Sequence, residues 1–198
     1  MRAIALSFAV LAACAANAHL ASAQKAGATD LAARVAKARQ VAQTLADRLK
    51  GEIVTALKAD GPVSTVGLCQ TISPDLTYTA ADEFGFEVTR TALKLRNPEN
   101  APDPWELKVL QQFQSQIAAG ADPAKLEQAE IIVTPEGDKL FRFMKPIMMG
   151  EPCLVCHGTD VKQDVKAEIA RYYPEDKAVG FKLGELRGAF SLAQLIGE

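Results

Sequence analysis

A chain of 198 residues, 48% of them apolar and 23% charged, is long enough for a buried core and too apolar to be a disordered segment. Its 22 basic and 24 acidic residues leave a net charge of −2 with no basic patch, which excludes nucleic acid as an expected partner. Four cysteines and two histidines restrict the metal or redox chemistry to a few positions.

Residues 1–23 read as a secretory leader. Arg2 supplies the charged start, Ala3 to Ala16 the apolar stretch, and Ala21-Ser22-Ala23 an A-x-A cleavage site. The apolar stretch is short for a membrane span. Leu11-Ala12-Ala13-Cys14 also looks like a lipoprotein box, so a membrane anchor is expected only if Cys14 is lipidated. Removal of the leader takes away one basic residue and no acidic one, leaving −3. It also removes Cys14 and His19, so Cys69, Cys153, Cys156 and His157 remain in one expected domain, 24–198. The expected location is the periplasm.

The spacing predicts a long helix capped by Asp30, with Leu31, Val35, Ala38, Ala42, Leu45, Leu49, Ile53 and Leu57 along one stripe. Asp60-Gly61-Pro62 should stop it. A short helix carrying Cys69 is expected from Val63 to Ile72, ending before Ser73-Pro74. Phe86 to Leu95 alternates as a strand, and the proline-rich 96–106 stretch reads as a loop. Asp103-Pro104 should open a helix with Trp105, Val109, Leu110, Phe113 and Ile117 on its apolar face, ended by Gly120. Asp122-Pro123 should start a helical turn. Glu130 to Thr134 and Lys139 to Pro146 form a predicted hairpin; a helix follows over about 160–172, then a last strand from Arg187 to Leu192. Four strands among helices make the chain α+β.

The chemistry centres on Cys153-Leu154-Val155-Cys156-His157. C-x-x-C-H is the attachment signature of c-type haem: two thiols add across two vinyl groups, and the next histidine donates a ring nitrogen to the iron. Gly158 would let the backbone pass close to the macrocycle. A thioredoxin-like redox pair, a Cys₃His zinc site completed by Cys69, and a Cys153–Cys156 disulfide are the competing readings. The export signal favours haem, because haem c is attached outside the cytoplasm.

Taken together, these blocks resemble the single-haem c-type domain family with a PAS-like fold, found as small exported proteins and as sensor input domains. The resemblance rests on Leu68-Cys69, on the run from Leu95 to Pro102 with Trp105-Glu106, and on Met144-Lys145-Pro146. It continues through Glu151 to Gly158, Tyr173 to Phe181 and Gly184 to Ser191. It implies a central antiparallel sheet with flanking helices, one covalently held haem, and a distal cysteine at the position of Cys69. No kinase, cyclase or membrane-spanning output segment follows, so a signal is expected to pass to a partner protein.

The residues themselves point the same way for the sixth ligand. The mature chain has no second histidine. Met148 and Met149 are tethered to the side of the motif, and Met144 reads as core. Cys69 has no such tether, so His157 and Cys69 are the expected iron ligands. Arg96 and Arg187 are the candidate partners of the haem propionates, since partly buried carboxylates want cations. The leading expectation is a redox or small-gas sensor or redox module working with a signalling or electron-transfer partner. A low-potential electron carrier and, less favoured, a haem enzyme acting on sulfur compounds or peroxide are the alternatives.

Overall fold

The computed structural model describes the backbone of residues 8–197 and the side chains of residues 30–197, apart from 71–74, 76–77 and 80–81. The expected leader, with its cleavage site, Cys14 and His19, lies outside the described side chains. The chain divides into two compact units, residues 1–37 and 38–198, and everything below concerns the second unless stated. No helix among the described residues is long and apolar enough to cross a membrane.

The elements run α1 (Phe8–Ala59), α2 (Gly61–Phe84), β1 (Glu87–Thr91), α3 (Pro104–Ala118), β2 (Gln128–Val133), β3 (Lys139–Met148), α4 (Glu151–His157), α5 (Gln163–Tyr172) and β4 (Leu186–Ile196). The α+β expectation holds, with one central antiparallel sheet in the order β1-β4-β3-β2, flanking helices and a long N-terminal helix.

Two helix boundaries differ from expectation. Asp30 does not cap α1. The helix passes through it, and its carboxylate instead accepts a 2.8 Å hydrogen bond from Arg34 Nε one turn later. Alanine-rich sequence on both sides of Asp30 favours continued helix, and one good capping residue does not outweigh that. Nor does Ser73-Pro74 end α2, which continues to Phe84. A proline inside a helix costs roughly 3 kcal/mol, and tertiary contacts at both ends of α2 offset that here. Near its start Val66 is buried with Val161, Val165 and Ile169 of the α5 region. Near its end Glu83 pairs with Arg48 of α1 at 3.0 Å. The break between α1 and α2 falls where expected, at Gly61, whose φ of +75° suits a residue without a Cβ.

The α3 boundary is set by the chain's own chemistry. Asp103 accepts from the Glu106 N–H at 2.8 Å, and Glu106 accepts from the Asp103 N–H at 2.9 Å, a complete capping box with Pro104 in the first turn. Val109, Leu110 and Phe113 then pack on Met144 and Ala189. Met144 is therefore core, as expected.

Strand register sorts the two faces of the sheet. Thr89, Ser191 and Met144 are aligned across β1, β4 and β3 on the face that meets α3. Arg90, Phe190 and Lys145 are aligned on the opposite face. Gly188 on that face is a close-approach point: a Cβ there would lie 2.4 Å from the Thr91 carbonyl oxygen.

Replacing Asp103 by Ala should remove the cap and the Arg142–Asp103 ion pair, lowering stability by about 1–2 kcal/mol in urea unfolding without altering the sheet.

Candidate functional site

The C-x-x-C-H run, which the sequence did not assign to any element, forms the seven-residue helix α4. Pro152 sits in its first turn, where a missing N–H is harmless. The i, i+3 spacing brings Cys153 and Cys156 to one side of the helix, and His157 is its last residue. Gly158 closes it by donating to the Leu154 carbonyl at 2.8 Å. A Cβ at Gly158 would meet that same oxygen at 2.5 Å. The turn itself thus requires the glycine, a reason internal to the chain that stands beside the expected close approach to a macrocycle.

The segment after α5 fastens the end of α4. The Phe181 N–H donates to the His157 carbonyl and the Gly180 N–H to the Gly158 carbonyl, both at 3.0 Å. The Ala178 carbonyl lies 2.6 Å from His157 Nδ1. A carbonyl can only accept, so Nδ1 carries the proton and Nε2 keeps its lone pair for a ligand. The ring stands edge-on to Phe181, with centroids 6.4 Å apart. Burial first, then the charges of Arg187 and Arg96, hold the imidazole pKa well below its usual range, against the raising effect of the Ala178 carbonyl. His157 is a neutral donor at neutral pH.

Arg96 ties these parts together. Its Nε and Nη2 donate to the two oxygens of Asp176 at 3.2 and 3.1 Å, and Nη2 also donates to the Cys156 carbonyl at 2.7 Å. Asp176 accepts from the Ala178 N–H at 2.8 Å. Both partners are largely shielded, with side chains 12% and 8% exposed. One ion pair therefore grips α4 and the residue that orients His157.

A cavity of about 830 Å³ opens beside this assembly. His157 lines it from α4, Cys69 from α2, Arg90 from β1, Arg96 from the loop after β1, and Arg187 and Gly188 from β4. Burial raises the Cys69 thiol pKa, with Arg96 and Arg90 pulling it back down. Burial likewise raises that of Cys156, against Arg96. Arg187 donates to the Lys94 carbonyl at 3.2 Å and lies 5.6 Å from the Phe181 ring centroid. Burial, then repulsion from Arg96 and Arg90, lowers its pKa to about 10. Cys69, Cys153 and Cys156 are all free thiols, so no Cys153–Cys156 disulfide forms. Among the described residues no three His, Cys, Asp or Glu side chains gather as a zinc site requires.

All six sequence-expected residues, Cys69, Arg96, Cys153, Cys156, His157 and Arg187, thus fall in one region, four of them on the cavity wall. Met149 is instead buried against Ala178 and Phe181, with Cys153 and Leu154 packed on it. Arg90 was missed by the sequence reading. Its signal was there: alternation from Phe86 puts Arg90 on the same side as buried Val88, and a charge on the apolar side of a strand is unusual.

The fold and site define an α+β protein in which a C-x-x-C-H helix borders an arginine-lined cavity. The chain belongs to the Tll0287-like family, whose model matches residues 16–194. Among solved structures it is similar to the crystal structure of the cyanobacterial heme-protein Tll0287, with 26% sequence identity and a TM-score of 0.51. That match covers 76% of this chain and 97% of the other. No curated protein matches the chain.

Asp176→Ala should leave the Arg96 guanidinium shielded and uncompensated, lowering stability by about 3 kcal/mol in chemical unfolding. It should also loosen the hold on His157, read as faster exchange of the Phe181 amide hydrogen.

Proposed function

We propose that this is an exported haem c protein, with the haem bound through Cys153 and Cys156 and the iron held between His157 and Cys69, acting as a redox or small-gas sensor. The observation that carries the reading is a cavity of about 830 Å³ walled at once by a neutral, oriented imidazole and by a thiol from a different helix. The residues present fit such a group. Two thiols lie one turn apart on α4, His157 has its Nδ1 proton engaged, and the cavity wall is cationic, as two propionates would need. The similarity to a heme-protein of known structure supports the same reading.

A bound haem would supply a one-electron couple and a site for a diatomic ligand. The chain's contribution is to set the ligands. Ala178 orients His157, a second-layer contact that raises ligand basicity. Cys69 is a thiol whose buried surroundings disfavour its anion, while Arg96 and Arg90 favour it. Thiolate ligation stabilises the ferric state. On reduction the thiolate would be held less tightly, and burial would favour its protonation and release. A departing Cys69 would free a position for a small gas, and a shift of α2, which carries it, would be the signal a partner protein reads.

Protein made in a host that attaches haem c should keep its haem through denaturing electrophoresis and acid–acetone extraction. Loss of the pigment in either would refute thioether attachment. Cys69→Ala should abolish the thiolate–histidine paramagnetic resonance signature and raise the midpoint potential, while Met149→Leu should leave both unchanged. Carbon monoxide and nitric oxide titrations then separate the readings. Tight binding by the reduced protein with a conformational change supports sensing. A reversible potential with no gas binding points to an electron carrier, and turnover of peroxide or a sulfur compound points to an enzyme.

A further inference from the structure

Three guanidiniums face the cavity, and they are not equivalent. Arg96 is saturated by Asp176 and by the Cys156 carbonyl. Arg187 has a backbone carbonyl and an aromatic ring as partners and no carboxylate. The Arg90 side chain makes no hydrogen bond or ion pair with any described residue, although it is shielded from bulk solvent and lines the cavity. A guanidinium shielded there without a carboxylate partner is destabilising. An apolar side chain beside Val88 would pack better, so the charge is placed for something the chain itself does not supply.

The charge count indicates what that is. Three arginines stand against one shielded carboxylate, Asp176, leaving two positive charges with no acidic partner; Glu87, Glu99 and Glu175 on the cavity wall are exposed. We infer that Arg90 and Arg187 are the two carboxylate anchors of the cavity, each taking one propionate of the haem, and that Arg96 is reserved for Asp176. Two propionates carry the two negative charges that balance the site. The planar fork of each arginine suits a carboxylate bidentately, which a lysine would not match. Arg90 sits in the paired part of β1, and Arg187 near the start of the adjacent strand β4, where the register with β3 shifts. The inference rests on the haem reading above, and replaces Arg96 by Arg90 as the partner of Arg187.

The test is resonance Raman spectroscopy of the holoprotein, which reports each propionate through its bending band, with a midpoint potential measured on the same samples. Arg90→Gln should shift one band, Arg187→Gln the other, and the double variant both. Each loss of a cation should lower the potential. Arg90→Lys should restore the potential while leaving its band shifted, because the charge returns without the fork. Bands that stay in place in both Arg90→Gln and Arg90→Lys overturn the inference. So does a potential that moves with both bands unchanged, which would pair Arg90 with the Cys69 thiolate instead. A protein that carries no haem in a host that attaches it overturns the underlying reading, an outcome distinct from a haem protein whose bands ignore Arg90.

Discussion

The site depends on one shielded ion pair. Arg96 leaves the loop after β1 and meets Asp176, 80 residues later, while also capturing the last carbonyl of the Cys153–Cys156 segment. Without it, the loop that carries Ala178 and Phe181 would be joined to α4 by backbone bonds, the His157–Ala178 hydrogen bond and packing. With it, the carbonyl that fixes the His157 tautomer is held against the helix that carries His157. A charged pair so little exposed adds little net stability, but it is expensive to break and geometrically exact in its demands. Its value is in position: it decides which way the imidazole faces.

The electrostatics around the cavity follow from the same arrangement. Burial is the largest influence on the groups that shift there, pushing the Cys69 and Cys156 thiols up and the His157 imidazole and the Arg90 and Arg187 guanidiniums down. The arginines act on the thiols in the opposite direction. Cys69 therefore stands between two environments, a desolvated one that prefers the thiol and a cationic one that prefers the thiolate. Burial outweighs the arginines and favours the thiol, so a further positive charge nearby would shift Cys69 toward the thiolate. In this protein the sheet is not only a scaffold. Its face opposite α3 carries Arg90 and Gly188, so strand register contributes directly to the cavity wall.

Local chemistry was legible in the sequence. Asp103-Pro104 with Glu106 three residues on is a complete helix start, and it forms as written. The β2–β3 hairpin, the turn at Asp122-Pro123 and the break at Gly61 are equally local and equally clear. The two failures were also local in kind. Asp30 and Pro74 carry strong boundary signals, but alanine-rich helix around one and tertiary contacts flanking the other prevail. The C-x-x-C-H motif was read as chemistry and its helix was not seen, because seven residues are too few to show a period.

What the sequence determined by itself was the reactive inventory and its spacing: two thiols three residues apart, a histidine directly after them, Cys69 elsewhere in the expected mature chain, and a chain of helices and four strands. Covalent spacing is a local property, and it survives whatever the rest of the chain does. The tertiary structure decided which of those groups share a cavity, which arginine is consumed by Asp176, and that the Arg90 side chain lines the cavity with no hydrogen-bond or ion-pair partner among the described residues. Those facts depend on antiparallel register between β1 and β4 and on contacts between residues 80 positions apart. No pattern within a window of sequence encodes them, because burial and charge pairing are set by which distant segments meet.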